Sequence, residues 1–399
     1  MDWNVCLYRF CYRSFSNLIL ITMKDSFIEN IAQISNKDYQ NILMDNDSPL
    51  ISYEFLNALE ESQSVTKSNG WQPMHLMLKN EEDISGFLPL YLKNNSHGEF
   101  VFDHQWSYAL KRAGRNYYPK LLSAIPFTPC ESRKFITKSS IDKSFFIEPV
   151  IEYMKQNNIE TWHILFPDEN DSNDLLKNNF IKRGGYRFVW NNKDYSNFDD
   201  FLNIFTSKQR KNIRKERNKI DQSNISFSIK DKTNLASDDW KIFYEFYKNT
   251  YLERMQAPYL NYNFFELIHK NRQVLQPVVF FAEIDGNKVA GSLCFQGKDI
   301  LFGRHWGTSK MIDSLHFECC YYQGIEYCIN NNIKFFDPGV QGEHKIRRGF
   351  EPRLSNSYHY IVKEDFRNAI DSFCKEEYRS IEQYLTACDE YTPIKKEYR

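Results

Sequence analysis

Between Leu301 and Pro352, polar and charged residues crowd into an otherwise apolar sequence. His305, His316 and His344 fall in this stretch, each within two residues of a cation or a carboxylate. A helix needs only an apolar stripe to pack, so His316, Glu318, Tyr321 and Tyr322 set close together point to chemistry. Their types suit proton transfer. Glu318 could accept a proton from an attacking amine, with His316 as rival base or as its hydrogen-bond partner. Tyr321 or Tyr322 could protonate a leaving group. Capping and internal hydrogen bonding at a helix start is the plainer alternative.

His316-Phe317-Glu318 has the H-x-E form used by zinc deaminases. The P-C-x-x-C half of that signature is missing, and the adjacent Cys319 and Cys320 would point about 100° apart on a helix. No metal is therefore expected. Downstream, Asp337-Pro338-Gly339-Val340-Gln341-Gly342-Glu343-His344-Lys345 follows a predicted strand, and loops held at strand ends often carry function. Gln341, Glu343, Lys345 and Arg347, with Arg304 and His305 upstream, are candidate substrate contacts, and His344 joins the candidate catalytic groups. A well-satisfied surface turn is the alternative. In the first half, His97, Glu99 and Lys120 could line a groove whose wall is stiffened by Pro126-Phe127-Thr128-Pro129, or could be purely structural.

Residues 207–219 carry seven cations: Lys208, Arg210, Lys211, Arg214, Lys215, Arg217 and Lys219. At helical spacing Arg210, Arg214 and Arg217 share a face, as do Lys211 and Lys215. Such a face suits the phosphates of a nucleotide-bearing donor or an RNA backbone. A solvated helix surface is the alternative, and only Glu216 interrupts the run.

The elements that must position these groups read as a duplicated α/β unit. In the first half, strands are expected at His75–Leu78, Ser85–Lys93, Gly98–Asp103 and Thr161–Phe166, with a helical segment at Tyr117–Ala124. In the second half, Val278–Ile284, the Asp285-Gly286 turn and Val289–Gln296 form a hairpin. Asp299–Trp306 adds a strand, Leu315–Ile329 a helix and Ile333–Phe336 a further strand. Between the halves, Tyr195–Ile220 reads as one long helical segment. Length suggests two or three domains of about 150 residues.

A formal net charge of −1 leaves no global field to recruit nucleic acid or membrane, so such a partner needs a local patch. Nine scattered cysteines without a C-x-x-C pair argue for reduced thiols and a cytoplasmic setting. No apolar run is long enough to span a bilayer. Residues 1–22 read as a mis-called or disordered leader with Met23 as the start, a short targeting segment being the rival.

Several motifs together resemble a bacterial family of FemAB-like predicted N-acyltransferases in the GNAT superfamily, whose members are associated with peptidoglycan biosynthesis or recognition. They are Gly70-Trp71-Gln72-Pro73, Gly98-Glu99-Phe100-Val101-Phe102-Asp103 and Tyr117-Tyr118-Pro119-Lys120-Leu121. Then follow Arg210-Lys211-Asn212-Ile213-Arg214, Gly303-Arg304-His305-Trp306-Gly307, Leu315-His316-Phe317-Glu318 and Gln341-Gly342-Glu343-His344-Lys345. The resemblance spans roughly residues 50–370.

It implies an α/β (α+β) fold of tandem GNAT-like domains with mixed, mostly antiparallel sheets flanked by helices. These are expected over residues 23–195 and 196–390, the second opening with the basic helix. It also implies transfer of an acyl or aminoacyl group to an amine, from acyl-CoA or aminoacyl-tRNA, on a peptidoglycan precursor or related substrate. The glycine-rich Q/R-x-x-G-x-G/A loop that holds acetyl-CoA in ordinary GNAT enzymes is absent at Gly307–Ser314. A non-catalytic module that recognises a cell-wall precursor or peptide is the reading from another class.

Overall fold

A computed structural model of the chain describes residues 23–138, 140–340 and 342–398. The expected leader at 1–22 and the candidate contact Gln341 lie outside the described residues. Two compact units are present: one of residues up to Asp47, 51–184 and 356–378, the other of 48–50, 185–355 and 379 onward.

The first unit holds strands β1 (Met23–Ile28), β2 (Trp71–Pro73), β3 (His75–Asn80), β4 (Asp83–Leu88), β5 (Tyr91–Lys93), β6 (Lys120–Ser123) and β7 (Thr161–Leu165). β1, β3 and β4 form a small antiparallel sheet. In a second sheet β2, β5 and β6 run antiparallel in turn, and β6 pairs with β7 in parallel.

In the second unit, β8 (Ile181–Asn191) contributes residues 185–191, followed by β9 (Ile225–Lys230), β10 (Pro277–Ile284), β11 (Asn287–Gln296), β12 (Ile300–Thr308) and β13 (Phe335–Asp337). β9 to β12 form an antiparallel meander, β12 pairs with β13 in parallel, and β13 pairs antiparallel with β8. The last strand, β14 (Glu351–Ile361), gives its residues 357–361 to β7 as an antiparallel partner. Both units thus repeat one grammar: meander, parallel step, antiparallel closing strand. The β10–β11 hairpin turns at Asp285 and Gly286, with φ of 50° and 75°, as expected for an Asp-Gly turn.

Several expected elements differ. Ser85–Lys93 is not one strand but the end of β4 and the whole of β5, which lie in different sheets, with Pro89, which has no N–H for a ladder, between them. Gly98–Asp103 is not a strand, because Gly98 and Phe100 take positive φ (76° and 61°) and the segment coils, carrying buried Glu99 and Asp103. Tyr117–Ala124 contains β6 rather than a helix. All four β6 residues are buried, and a short run buried on both faces loses the alternation that marks a strand. The segment 195–220 is two helices, Phe198–Leu202 and Ser207–Gln222. Between them, the backbone at 204–206 turns to bond the C-terminal segment: Thr206 N–H donates to Pro393 O at 3.0 Å, and Lys395 N–H to Ile204 O at 2.9 Å. Thr206 then caps the second helix through the Gln209 N–H.

The first unit is built around a buried polar chain. Lys120, fully buried, donates to Glu99 at 2.7 Å, to Ser96 at 2.8 Å and to Asp103. Burial opposes its charge, but Glu99 and Asp103 hold its pKa above the ordinary lysine value. Lys93 lies beside Glu99 at 3.8 Å and over the Trp71 ring, and burial pushes it down to about 7.

Tyr117 donates to Asp103 at 2.5 Å, and His163 Nε2 lies 3.1 Å from the Tyr117 oxygen and 3.0 Å from Thr161 Oγ1. The His163 and His359 rings share one hydrogen bond between their Nδ1 atoms at 2.6 Å, and His359 Nε2 is 2.9 Å from Ser357 Oγ. Burial drives both imidazoles well below their ordinary pKa, which keeps them neutral as this chain requires. Removing the cation leaves buried carboxylates uncompensated. Lys120→Met is expected to cost about 3–5 kcal/mol in urea unfolding followed by circular dichroism; a loss under about 1 kcal/mol would show that the network is not what holds the unit.

Candidate active site in the second unit

The helix Ser207–Gln222 buries only Ile213 and Ile220, so its attachment depends on polar contacts. Adjacent residues supply them with opposite charge. Arg217 grips Glu318 through Nη2 and Nε at 3.0 and 3.2 Å, and reaches Glu326 at 2.8 Å. Glu216 accepts from Arg348 at 2.7 Å and from the Tyr322 hydroxyl. The helix is thereby tied both to the segment 315–330 and to the turn Glu343–Arg348.

The segment 315–330 is not one regular helix. A helical turn at Leu315–Phe317 runs into a π-helical turn at Glu318–Tyr322 and then into Gln323–Asn330. A π turn overlays residues five apart, where an α-turn overlays residues four apart, and such turns recur at functional sites. Here it sorts the four candidate groups. Glu318 and Tyr322 meet the basic helix, as above. Tyr321 instead bonds His344, its hydroxyl 2.9 Å from Nε2, with the His316 ring 5.4 Å from the Tyr321 ring and 6.4 Å from His344.

Burial of this group, then the nearby cations, set its electrostatics. His316 is pushed down to about 4 by burial, with His344, Arg348 and Lys345 adding to the effect. His344 is lowered by burial and by Arg348. Burial raises Tyr321, keeping its hydroxyl protonated. Glu318 is 3% exposed, and burial raises its pKa while Arg217 opposes the rise. Its oxygens are taken by Arg217 and by the Gln323 amide at 2.9 Å, so it sits in a buried ion pair rather than facing open space.

Above this cluster, β12 parts from β13. Their parallel register ends at Phe302↔Asp337, and β12 continues to Thr308. β12 also carries a bulge against β11, since Cys294 faces Gly303 and Leu293 faces His305, leaving Arg304 as the extra residue. His305 packs against the Tyr247 ring at 5.0 Å and is driven well below its ordinary pKa by burial. The helix Ser237–Leu252 crosses so near that a Cβ on Gly307 would stand 2.0 Å from Phe246 O. Trp306 lies 5.3 Å from the His316 ring.

The loop after β13 is organised by Asp337, buried and paired with Arg187 at 3.2 Å while accepting from Gly339 N–H. Lys345 is buried, donates to Gly339 O at 2.6 Å and is lowered by burial to about 8. It braces the loop. Glu343, His344 and Arg347 are exposed, and the Arg347 carbonyl accepts from Gln209.

The remaining expected residues disperse. On the basic helix, Lys211, Arg214 and Lys215 are exposed and Arg210 is half-buried. Together with Lys219 they line an open groove of about 600 Å³, whereas Arg217 points inward to its carboxylates. In the first unit Lys120 and Glu99 belong to the buried chain rather than to an accessible groove. His97 is exposed, and its carbonyl caps Trp71 Nε1 and Lys93 Nζ.

Three supporting residues were not among the expected site groups: Glu216, Arg348 and Asp337. One signal was available for Glu216, since a lone acid inside a seven-cation run suggests an inward partner. Among the described residues, no three His, Cys, Asp or Glu side chains converge as a metal site. No helix among them is long and apolar enough to cross a membrane.

The comparisons with known proteins agree with this architecture. A family model described as FemAB-like, peptidoglycan biosynthesis/recognition, matches residues 30–396. No curated protein matches the sequence. Among solved structures, FemX is similar at 13% identity and a TM-score of 0.50, over 85% of this chain and 98% of that one. The C-terminal domain of a putative lysylphosphatidylglycerol synthetase from Agrobacterium fabrum is similar at 9% identity and 0.50, over 84% and 96%. A tandem GNAT protein from the clavulanic acid biosynthesis pathway is similar at 6% and 0.43, over 85% and 98%. The first two likenesses show the fold and nothing of the chemistry. The mixed α/β fold with helix-flanked, mostly antiparallel sheets expected from the sequence is the fold found.

The buried imidazoles make stability acid-sensitive. His305 and His316, like His163 and His359, take up protons in the unfolded chain below about pH 6.5 that the folded chain excludes. Stability is therefore full above that pH and falls as pH drops toward about 4, each ring contributing up to about 1.4 kcal/mol per pH unit. Urea midpoints at pH 7.5, 6 and 5 should fall in that order; midpoints that stay level would mean the rings are charged or solvated when folded.

Proposed function

This chain belongs to the FemAB-like family of peptidoglycan biosynthesis and recognition, and from that premise we propose that it transfers an aminoacyl group from an activated ester to an amine of a peptidoglycan precursor. The observation that carries the reading is the neutral His316 beside the Tyr321–His344 hydrogen bond, next to the stretch where β12 has left its parallel partner. A neutral imidazole takes the proton as the amine nitrogen attacks the ester carbonyl carbon. The oxyanion that forms is met by backbone N–H groups of β12 beyond Phe302. As the carbon–oxygen bond of the ester breaks, the Tyr321 hydroxyl gives its proton to the leaving oxygen, and the tyrosinate is reprotonated by the imidazolium that His316 became on taking the amine proton, its ring 5.4 Å away. Glu318 acts at one remove: its pair with Arg217 fixes the π turn that presents His316 and Tyr321 together.

Two features favour an aminoacyl-tRNA over acyl-CoA as donor. The cationic groove of the basic helix suits an RNA backbone. In the segment where CoA enzymes cradle a pyrophosphate, two of the amides are already spent: Ser309 N–H bonds Val289 O and Lys310 N–H bonds Thr308 Oγ1. The second glycine of that motif is also missing.

The test is a mass increment on a soluble muropeptide amine incubated with protein and aminoacylated tRNA. The wild-type protein should add one aminoacyl residue. His316→Asn and Tyr321→Phe should each slow transfer about 10²–10⁴-fold while keeping the wild-type melting curve. Unchanged rates in both variants would remove this mechanism. Muropeptide binding with no increment under any donor would favour the recognition module instead.

A further inference from the structure

Two exposed loops of the second unit share an unusual pairing of residues. Arg254-Met255 follows the helix Ser237–Leu252, and Lys310-Met311 follows β12. Met255 is 95% exposed and Met311 87%, and Leu252, whose carbonyl accepts from Met255 N–H, is 54% exposed. Single exposed apolar residues are ordinary. Here, however, backbone conformation argues for a purpose at Met255. Its φ is +55°, a left-handed position that favours Gly or Asn, yet it holds a large apolar side chain wholly in water.

The two loops leave from one crossing. Thr250 donates to Trp306 O at 2.9 Å, which ties the last turn of the helix to the end of β12. Ile312 and Trp306 then pack on the cluster that contains Ile220 of the basic helix, and Lys219 pairs with Asp313. Arg254 is close enough to help depress His316. Next to the methionines in sequence stand Arg254 and Lys310, against the single acid Glu253, while Asp313 is neutralised by Lys219. Arg254 and Lys310 make no ion pair among the described residues.

We infer that this end of the second unit is a docking surface for an anionic lipid bilayer, with Met255, Met311 and Leu252 entering the interface and the neighbouring cations meeting the headgroups. The apolar side chains decide the kind of partner. RNA phosphates would be met by the cations alone and offer nothing to three exposed aliphatic groups, whereas a bilayer interface takes both. Long cationic side chains next to an inserted residue can keep their charge at headgroup level. Docking here would set His316 and the divergent end of β12 within a short reach of lipid headgroups. The inference does not depend on the proposed transfer reaction.

The test is co-sedimentation of the full chain with vesicles of phosphatidylcholine containing about 30% phosphatidylglycerol, beside pure phosphatidylcholine, at low and high salt. The protein should pellet with the anionic vesicles and release as salt rises. Met255→Asp with Met311→Asp should weaken binding by at least tenfold. Their effect on melting should be nil or slightly stabilising, because Asp tolerates positive φ better than Met. Lys310→Ala should weaken binding about fivefold. The proposal is overturned if the wild-type protein ignores anionic vesicles. It is equally overturned if the double methionine variant binds them as wild type does, which would leave a purely ionic surface, or if a short RNA hairpin binds instead and only the lysines matter to it.

Discussion

Two neighbouring side chains of opposite charge hold the second unit's site in place. Glu216 and Arg217 point inward from a helix that has almost no apolar face, and each finds a buried or half-buried partner. Ion pairs on a surface contribute little; these matter because Glu318 and Arg348 are nearly inaccessible to water and would otherwise be buried charges without compensation. The cost of leaving them unpaired is what docks a strongly cationic helix onto the domain. It also leaves Lys211 and Lys215 of that helix facing water.

The same anchoring fixes the candidate groups on the opposite side. Glu318 is held by Arg217 and Tyr322 by Glu216, so the π turn between them cannot rotate. His316 and Tyr321 then face His344, which rides on the turn that Arg348 clamps through His344 O and the Phe317 ring. Burial keeps the imidazoles neutral and the phenol protonated, which is the set of states that proton transfer at neutral pH requires. The lowered pKa values thus follow from packing and the nearby cations and need no special partner.

Much of the architecture was legible in the sequence. The β10–β11 hairpin announced itself by Asp285-Gly286, and the crowding of His316, Tyr321 and His344 marked the region that the structure brings together. Elements failed where local pattern lost to tertiary context. The helical segment over 195–220 breaks because its backbone is used by residues 393–395, far away in sequence. β6 hides its strand character because both faces are covered. Lys120 and Glu99 looked like groove residues because their charges suggested exposure, and only the fold shows that they neutralise one another in a core.

Residue type and order by themselves determined the family, the repeated α/β grammar and the neighbourhood in which proton-transfer groups gather, since these rest on local propensity, turn chemistry and motif sequence. They could not say which of four adjacent candidates would face one another. On a regular helix Glu318 and Tyr322 would be the natural partners of a shared site. The π turn, stabilised by pairs more than a hundred residues apart, sends those two to the basic helix and gives His316 and Tyr321 to His344. A shift of one residue per turn is invisible in a sequence, because it is set by long-range charge pairing and not by the residues that undergo it.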